Sequence, residues 1–221
     1  MRRIPEPELM SDAEQAQAYA AADFSEPHGR FITLLRERLA DLPSRGIAVD
    51  LGCGPGDITL RFAREFALWS IDGVDGSAAM LDAGRAVIDH ARLGSRIRVH
   101  QLLLPAPPPR AARYDLTISN SLLHHLASPE VLWATIRQWT SERGAVFVMD
   151  LLRPPTVADA RALVDTYAAS EPAVLKTDFY NSLLAAYRPD EVRSQLATAG
   201  LGELSVEVVS DRHLIVFGRL D

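Results

Sequence analysis

The sequence predicts an α/β fold: a doubly wound, mostly parallel seven-stranded sheet closed by an antiparallel C-terminal hairpin. Three observations carry this. Strand-like and helix-like segments alternate from residue 46 to 151, the pattern of parallel strands joined by helical crossovers. Three of the strand segments, "AVDL", "DLTIS" and "AVFVMDL", are apolar nearly throughout, as strands covered on both faces must be. The chain then closes on two strand-like runs, "LSVEVVS" and "RHLIVFGRL", with almost nothing between them, which reads as a hairpin.

The elements follow in order. Ser11 and Glu14 match a capping box and predict a helix over residues 11–22. In "PHGRFITLLRERLADLP", Phe31, Leu34, Leu35, Leu39 and Leu42 recur at helical spacing. "GIAVDLG" is a buried strand ended by glycine, and "DITLRFAREF" places Ile58, Phe62 and Phe66 on one helical face. "LWSIDGVD" is a second strand, and "SAAMLDAGRAVIDHARLG" a helix stopped by Gly94. "RIRVHQLLL" is a third strand, in which Arg96 and Arg98 alternate with apolar residues and are expected in solvent. "PAPPPR" is a spacing loop and "YDLTISN" a fourth strand. "SPEVLWATIRQW" opens with an N-cap serine and a first-turn proline, and "GAVFVMDL" is a fifth strand. Residues 153–187 have helical composition and break the repeat. Residues 189–199 are a further helix between Pro189 and Gly200. The division expected is an N-terminal helical arm or lid over 1–45 and a core domain over 46–221, with 153–187 a helical cap inserted in it.

Composition narrows the function classes. The chain has 221 residues, 48% hydrophobic and 24% charged, a globular balance. Its net charge of −6 leaves no basic footprint for nucleic acid. Cys53 is the single cysteine, which excludes an internal disulfide and a cysteine zinc cluster and fits a reducing, cytoplasmic setting. No segment has the length and apolarity of a membrane span or a secretion signal. No acidic set reads as a catechol-type metal site, and no metal is expected. The oligomeric state is not readable.

The chemistry concentrates in "VDLGCGPGD". Three glycines at alternate positions between a strand and a helix let a ligand lie against bare backbone, with free helix N–H groups nearby. The spacing is G-x-G-x-G, and Asp57 stands where the dinucleotide pattern has its third glycine. Asp50, two residues before Gly52, would repel a pyrophosphate and attract an ammonium. S-adenosylmethionine carries an ammonium, a carboxylate and a sulfonium and no phosphate, so it fits better than NAD. Asp75, 19 residues after Gly56, ends the second strand, where a carboxylate can accept from two ribose hydroxyls.

These motifs resemble those of class I S-adenosylmethionine-dependent methyltransferases of the small-molecule type, over about residues 30–151 and more loosely the final hairpin. "VDLGCGPGD" looks like that family's first motif, "GVDGSAAML" its second, and "YDLTISNSLLHHL" the segment after its fourth strand. The resemblance implies a Rossmann-like fold and S-adenosylmethionine as cofactor, leaving as S-adenosylhomocysteine. It implies that Asp50 holds the amino group and that Gly52, Gly54 and Gly56 shape the wall. Asp75 with Gly76 would take the ribose, Met80 would lie near the adenine and Asn120 near the methionine end. One departure stands out: the acid usual before "LP" is absent from "VHQLLLP", leaving His100 or Gln101 there. Gln101 is the expected adenine contact.

Around this frame, His124 is read as a general base or substrate contact, and His125 first as a packing histidine and second as a substrate neighbour. Tyr19 and Phe24 belong to the arm, which either closes over the cofactor, with Tyr19 a candidate substrate contact, or packs as an ordinary amphipathic helix. In "KTDFYNSLLAAY", Tyr180, Leu183, Leu184 and Tyr187 share a helical face that is core or lines a substrate cap. Trp133 and Trp139 are core, and Cys53 is simply small. The expected reaction is direct displacement of the methyl group by a small-molecule acceptor. The alternatives are an aminopropyl-type transferase, a nicotinamide enzyme, or a non-catalytic cofactor-binding or regulatory subunit.

Overall fold

The computed structural model describes residues 1–6 and 24–221. The helix expected over 11–22, with Tyr19, lies outside the described residues. Seven strands form one sheet: β1 (Gly46–Leu51), β2 (Trp69–Asp75), β3 (Ile97–Gln101), β4 (Tyr114–Asn120), β5 (Thr140–Leu151), β6 (Ser205–Val208) and β7 (His213–Arg219). Their order is β3-β2-β1-β4-β5-β7-β6, with β1 to β5 parallel and β7 antiparallel to both neighbours. The direction of winding reverses between β1 and β4. A ligand in an open parallel sheet sits beyond the carboxyl ends of the strands at such a switch point.

The helices are α1 (Ser25–Arg38), α2 (Asp57–Glu65), α3 (Ala78–His90), α4 (Glu130–Trp139), α5 (Val157–Tyr167), α6 (Ala173–Ala185) and α7 (Pro189–Ala199). Because successive strand side chains point to opposite faces, each buried strand feeds two cores. Ala48 of β1 and Phe147 of β5 pack with Phe31 of α1, Phe62 of α2 and Ile88 of α3. Their neighbours Val49, Val146 and Val148 pack on the other face with Trp133 and Trp139 of α4 and Val192 of α7. The two tryptophans are core, as expected, with no exposed surface. Leu151, Val164, Leu183 and Leu184 form a third, smaller core under α5 and α6.

Residues 1–6 cross this third region. Ile4 N–H donates to Leu184 O (3.0 Å), and the Arg3 guanidinium lies 4.2 Å over the Tyr187 ring while donating to Ala185 O (2.5 Å) and His124 O (3.0 Å). These contacts bring Glu6 beside His124 and His125.

Some local expectations need correction. β3 is only Ile97–Gln101, and β5 begins four residues earlier than expected, at Thr140. α3 ends at His90, and Arg92 rather than Gly94 takes the left-handed conformation (φ 57°). Ser128 spends its hydroxyl on the Glu130 carboxylate, so that only its carbonyl, accepting from Val131 N–H at 3.2 Å, bonds the backbone of α4. Arg96 is not solvated: its guanidinium reaches Ala63 O at 2.7 Å and Trp69 O at 3.3 Å, tying the end of α2 to β2, whereas Arg98 is exposed. α7 follows the reading closely, with Pro189 in its first turn and Gly200 as a left-handed C-cap (φ 69°).

Candidate functional site

The turn after β1 is pinned to the tip of β2. Gly52 N–H and Cys53 N–H both donate to Val74 O (2.8 and 3.0 Å), and Gly54 N–H donates to Asp75 Oδ2 (2.8 Å). Gly52, Gly54 and Gly56 all have positive φ (73°, 52° and 82°). At Gly54 a side chain would project from a strained backbone into open space. At Gly52 it would meet Leu122 at 3.0 Å. The loop is therefore a bare backbone wall with room in front of it, and Gly56 passes it directly into α2.

Two carboxylates flank the wall. Asp75 also accepts from Ser77 N–H through Oδ1 (2.8 Å). Burial pushes its carboxyl up, and the two backbone bonds offset part of that. Ser77 in turn caps α3 through Met80 N–H. Asp50 is 1% exposed, accepts from Thr59 Oγ1 of α2 (2.6 Å) and is pushed up to about 7 by burial. It opens onto a cavity of ≈ 270 Å³ shared with Gly52, Gly54, Phe24, His28 and Asn120. Cys53 is buried, which pushes its thiol up and leaves it inert.

A second cleft runs past the same wall, between Asp75, Gly76 and Met80 on one side and Leu102–Leu104 on the other. Gln101 is not among its lining residues. Its side chain is turned outward, with its amide nitrogen 3.5 Å from Gly76 O, so leucines rather than Gln101 line this side of the cleft.

Beyond the tip of β4 the chain turns sharply through Ser121, which has φ 55°. Asn120 opens onto both clefts and onto a third cavity of ≈ 310 Å³, which Ser121 also lines. Its walls come from the start of α1 (Phe24, Glu26, Pro27, His28), from His124 and His125, and from α5, α6 and Arg212 with His213. α6 presents Leu175, Asp178, Phe179 and Ser182 to the cavity. The face read from the sequence points elsewhere: Leu183, Leu184 and Tyr187 are core, and Tyr180 packs beside them without lining the cavity.

His124 is 2% exposed and sits between carboxylates. Its Nδ1 is 2.5 Å from Asp150 Oδ1, and its Nε2 is 3.5 Å from Glu6 Oε1. Burial alone would lower the imidazole, but the charges of Asp150 and Glu6 outweigh it and hold it above its ordinary value. His125 Nδ1 is 3.2 Å from the same Glu6 oxygen, and the ring borders both the second cleft and the large cavity. His213 is pushed down to about 4 by burial and is neutral near pH 7.

Comparison with known proteins agrees with this geometry. Residues 49–146 match the family described as "Methyltransferase domain". Over residues 49–146 the chain carries a methyltransferase domain. Among curated relatives it is 30% identical over 117 residues to a malonyl-[acyl-carrier protein] O-methyltransferase of Halalkalibacterium halodurans, covering 52% of this chain and 43% of that one. It is 33% identical over 140 residues to a trans-aconitate 2-methyltransferase of Methylobacterium radiotolerans, covering 62% and 50%. These matches span half or less of the relatives' own length. The fold matches that of a structure from Methanococcus maripaludis described as a putative S-adenosyl-L-methionine-dependent methyltransferase. Its TM-score is 0.74 at 18% identity, with 99% of this chain and 98% of that one covered.

The methyltransferase domain fits its family's cofactor, S-adenosylmethionine, on the chain's own terms. Gly54 leaves bare backbone facing open space, Asp75 has lone pairs left for hydroxyls beyond its two backbone bonds, and Asp50 is a buried acid open to the cavity in front of the wall. Asp50, Gly52, Gly54, Asp75, Gly76, Met80 and Asn120 all line the joined clefts, and Gly56 shapes the loop behind them. Contributors that escaped the sequence reading include Ser121, Arg212, His28 and Phe179 on the cavity walls and Glu6 beside the two histidines. Only Ser121 had a local signal, its place directly after a strand tip.

Proposed function

We propose that this chain transfers the methyl group of S-adenosylmethionine to an oxygen of a small, carboxylate-bearing acceptor. The observation that carries the reading is the junction at Asn120 and Ser121, where the cofactor clefts and the ≈ 310 Å³ cavity meet. Bound S-adenosylmethionine supplies a methyl carbon already activated by positively charged sulfur. The chain's own task is then alignment, which supplies on the order of 7–11 kcal/mol in well-oriented reactions.

The acceptor side supports an acid. Arg212 stacks over the Tyr167 ring at 3.4 Å and contacts Asp211 at 3.1 Å and Glu26 at 3.5 Å. A guanidinium has five N–H donors, so capacity remains for an incoming carboxylate. Phe24, Leu175 and Phe179 give the cavity apolar wall, and His124 and His125 give it a polar floor. Relatives named for malonyl and aconitate acceptors point the same way. An ionised carboxylate is its own nucleophile and needs no base. On this reading His124 seats the acceptor through the polar floor, in place of the base role expected from sequence. α5 and α6 act as the acceptor cap, since they build one wall of this cavity on their own small core.

Calorimetry with S-adenosylmethionine, S-adenosylhomocysteine and NADH tests the cofactor, and a methyl-labelled screen of carboxylic acids, phenols, amines and thiols tests the acceptor. Binding of the first two ligands and turnover with carboxylic acids are expected. Binding of NADH alone, or turnover confined to amines, overturns the reading.

A further inference from the structure

We propose that Glu6, His124 and His125 form a divalent-cation site of the zinc type at the floor of the large cavity. Among the described residues they are the one group of three or more histidine, cysteine or carboxylate side chains whose donor atoms all lie within 4.8 Å of one another. Glu6 Oε1 is 3.5 Å from His124 Nε2 and 3.2 Å from His125 Nδ1. Tetrahedral zinc bound at about 2.0–2.1 Å to nitrogen and oxygen requires donors about 3.3–3.4 Å apart. These two edges bracket that value.

The supporting shell is already built. Asp150 binds His124 Nδ1, which fixes the ring and leaves Nε2 toward Glu6, the carboxylate–histidine arrangement found behind metal-bound imidazoles. Asp150 is itself held by Leu123 N–H on Oδ2 and by Leu151 N–H on Oδ1, both at 2.7 Å. Glu6 is held by the Ser182 hydroxyl at 2.9 Å. Two neutral-capable nitrogens and one carboxylate, with no thiolate, suit zinc and its divalent neighbours over softer ions. Three protein ligands leave a coordination position open. Because both histidines border the cavity, that position faces the acceptor space. No spacing motif announces the site, since Glu6 stands near the start of the chain, far in sequence from the mid-chain histidine pair, and the strap across Leu184 brings it in.

The site stands apart from the methyl-transfer reading, and only its use in seating an acceptor oxygen rests on that reading. The test is metal content of the full chain by elemental analysis, followed by chelator stripping and equilibrium dialysis against zinc. Cobalt(II) absorption serves as a second readout of an ordered three-ligand site. About one zinc per chain is expected, lost in Glu6→Gln and His125→Ala and weakened about 10–100-fold in Asp150→Asn. Glu6→Gln keeps shape and is checked for folding by its circular dichroism. No zinc uptake by the wild type, or equal uptake in Glu6→Gln and His125→Ala, overturns the site. Zinc uptake without binding of S-adenosylmethionine would remove the methyl-transfer reading and leave the site standing, and the converse result would do the reverse.

Discussion

The affinity of this protein for S-adenosylmethionine should rise with pH up to about 7 and then level, because of Asp50. Its carboxyl is raised from 3.8 to about 7, first by burial, with Thr59's hydrogen bond pulling the other way and the Asp75 charge adding to the rise. In the free protein, Asp50 therefore holds its proton over a window in which the unfolded chain has lost it. The unfolded state binds fewer protons there, so folding stability falls as pH climbs from about 4 to about 7, by roughly 4 kcal/mol over about three pH units. A cofactor ammonium beside Asp50 reverses the preference and draws the proton off. At pH 6 roughly one Asp50 in eleven is ionised, and at pH 7 about half, so the apparent affinity should increase about fivefold between them. Above pH 7.5 an α-amino group begins to lose its own proton, which sets the upper end of the useful range. Calorimetry from pH 5.5 to 7.5 in two buffers of different ionisation enthalpy reads both affinity and protons, and close to one proton should be released per cofactor bound at pH 6. Asp50→Asn should bind weakly and without this slope, which separates Asp50 from every other titrating group. A flat wild-type profile, or an identical slope in Asp50→Asn, would refute the pairing.

Other expectations follow from the same contacts. Asp75→Ala removes an ionised acceptor worth about 1.5–3 kcal/mol per hydrogen bond, so cofactor affinity should drop at least about tenfold, measured on a variant shown to be folded. His124→Ala leaves Asp150 buried and unpaired and should cost about 3–5 kcal/mol in denaturant unfolding. Adding Asp150→Asn should return part of that loss, and a double variant no more stable than the single one would deny the coupling. Phe147→Ala, at a fully buried ring packed edge-on to Phe31 at 4.9 Å, should cost about 3–5 kcal/mol. Phe179→Trp narrows the large cavity and should raise the acceptor KM while leaving cofactor affinity within about twofold, whereas a parallel loss of both would place α6 outside the acceptor site.

What the sequence showed depended on how local the cause was. The glycine loop is legible because each residue answers a constraint set within a few positions: positive φ at Gly54, a strand behind it, a helix starting at Asp57. Asp75 is legible because it ends a strand. Arg96 was misread because strand alternation fixes only the Cβ direction, and its long stem carries the guanidinium back to the carbonyls of Ala63 and Trp69. α6 has apolar residues on two sides. Helical spacing picked out Leu183, Leu184 and Tyr187, which face the core, but could not show that Leu175 and Phe179 face a cavity. Glu6 carries no local signal at all, since its partners are brought to it by tertiary contacts alone.

The same distinction divides the work of the chain. The cofactor clefts are built from the ends of β1, β2 and β4, which the sheet hydrogen bonds hold in register, and Ser119 Oγ even bonds Leu51 O (2.8 Å) to lock two of those tips together. The acceptor cavity is built largely from pieces outside that lattice: the start of α1, the α5–α6 pair on its own small core, and the turn carrying Arg212. On the proposed reading, changes in the second group alter cavity shape without moving the strand tips, so acceptor choice should be able to drift while the cofactor site stays fixed. Asn120, Ser121, His125, Phe24 and His28 are the exceptions, because each lines a cofactor cleft as well as the large cavity. A substitution at Asn120 should therefore disturb cofactor affinity and acceptor KM together, whereas Phe179 changes the acceptor term alone.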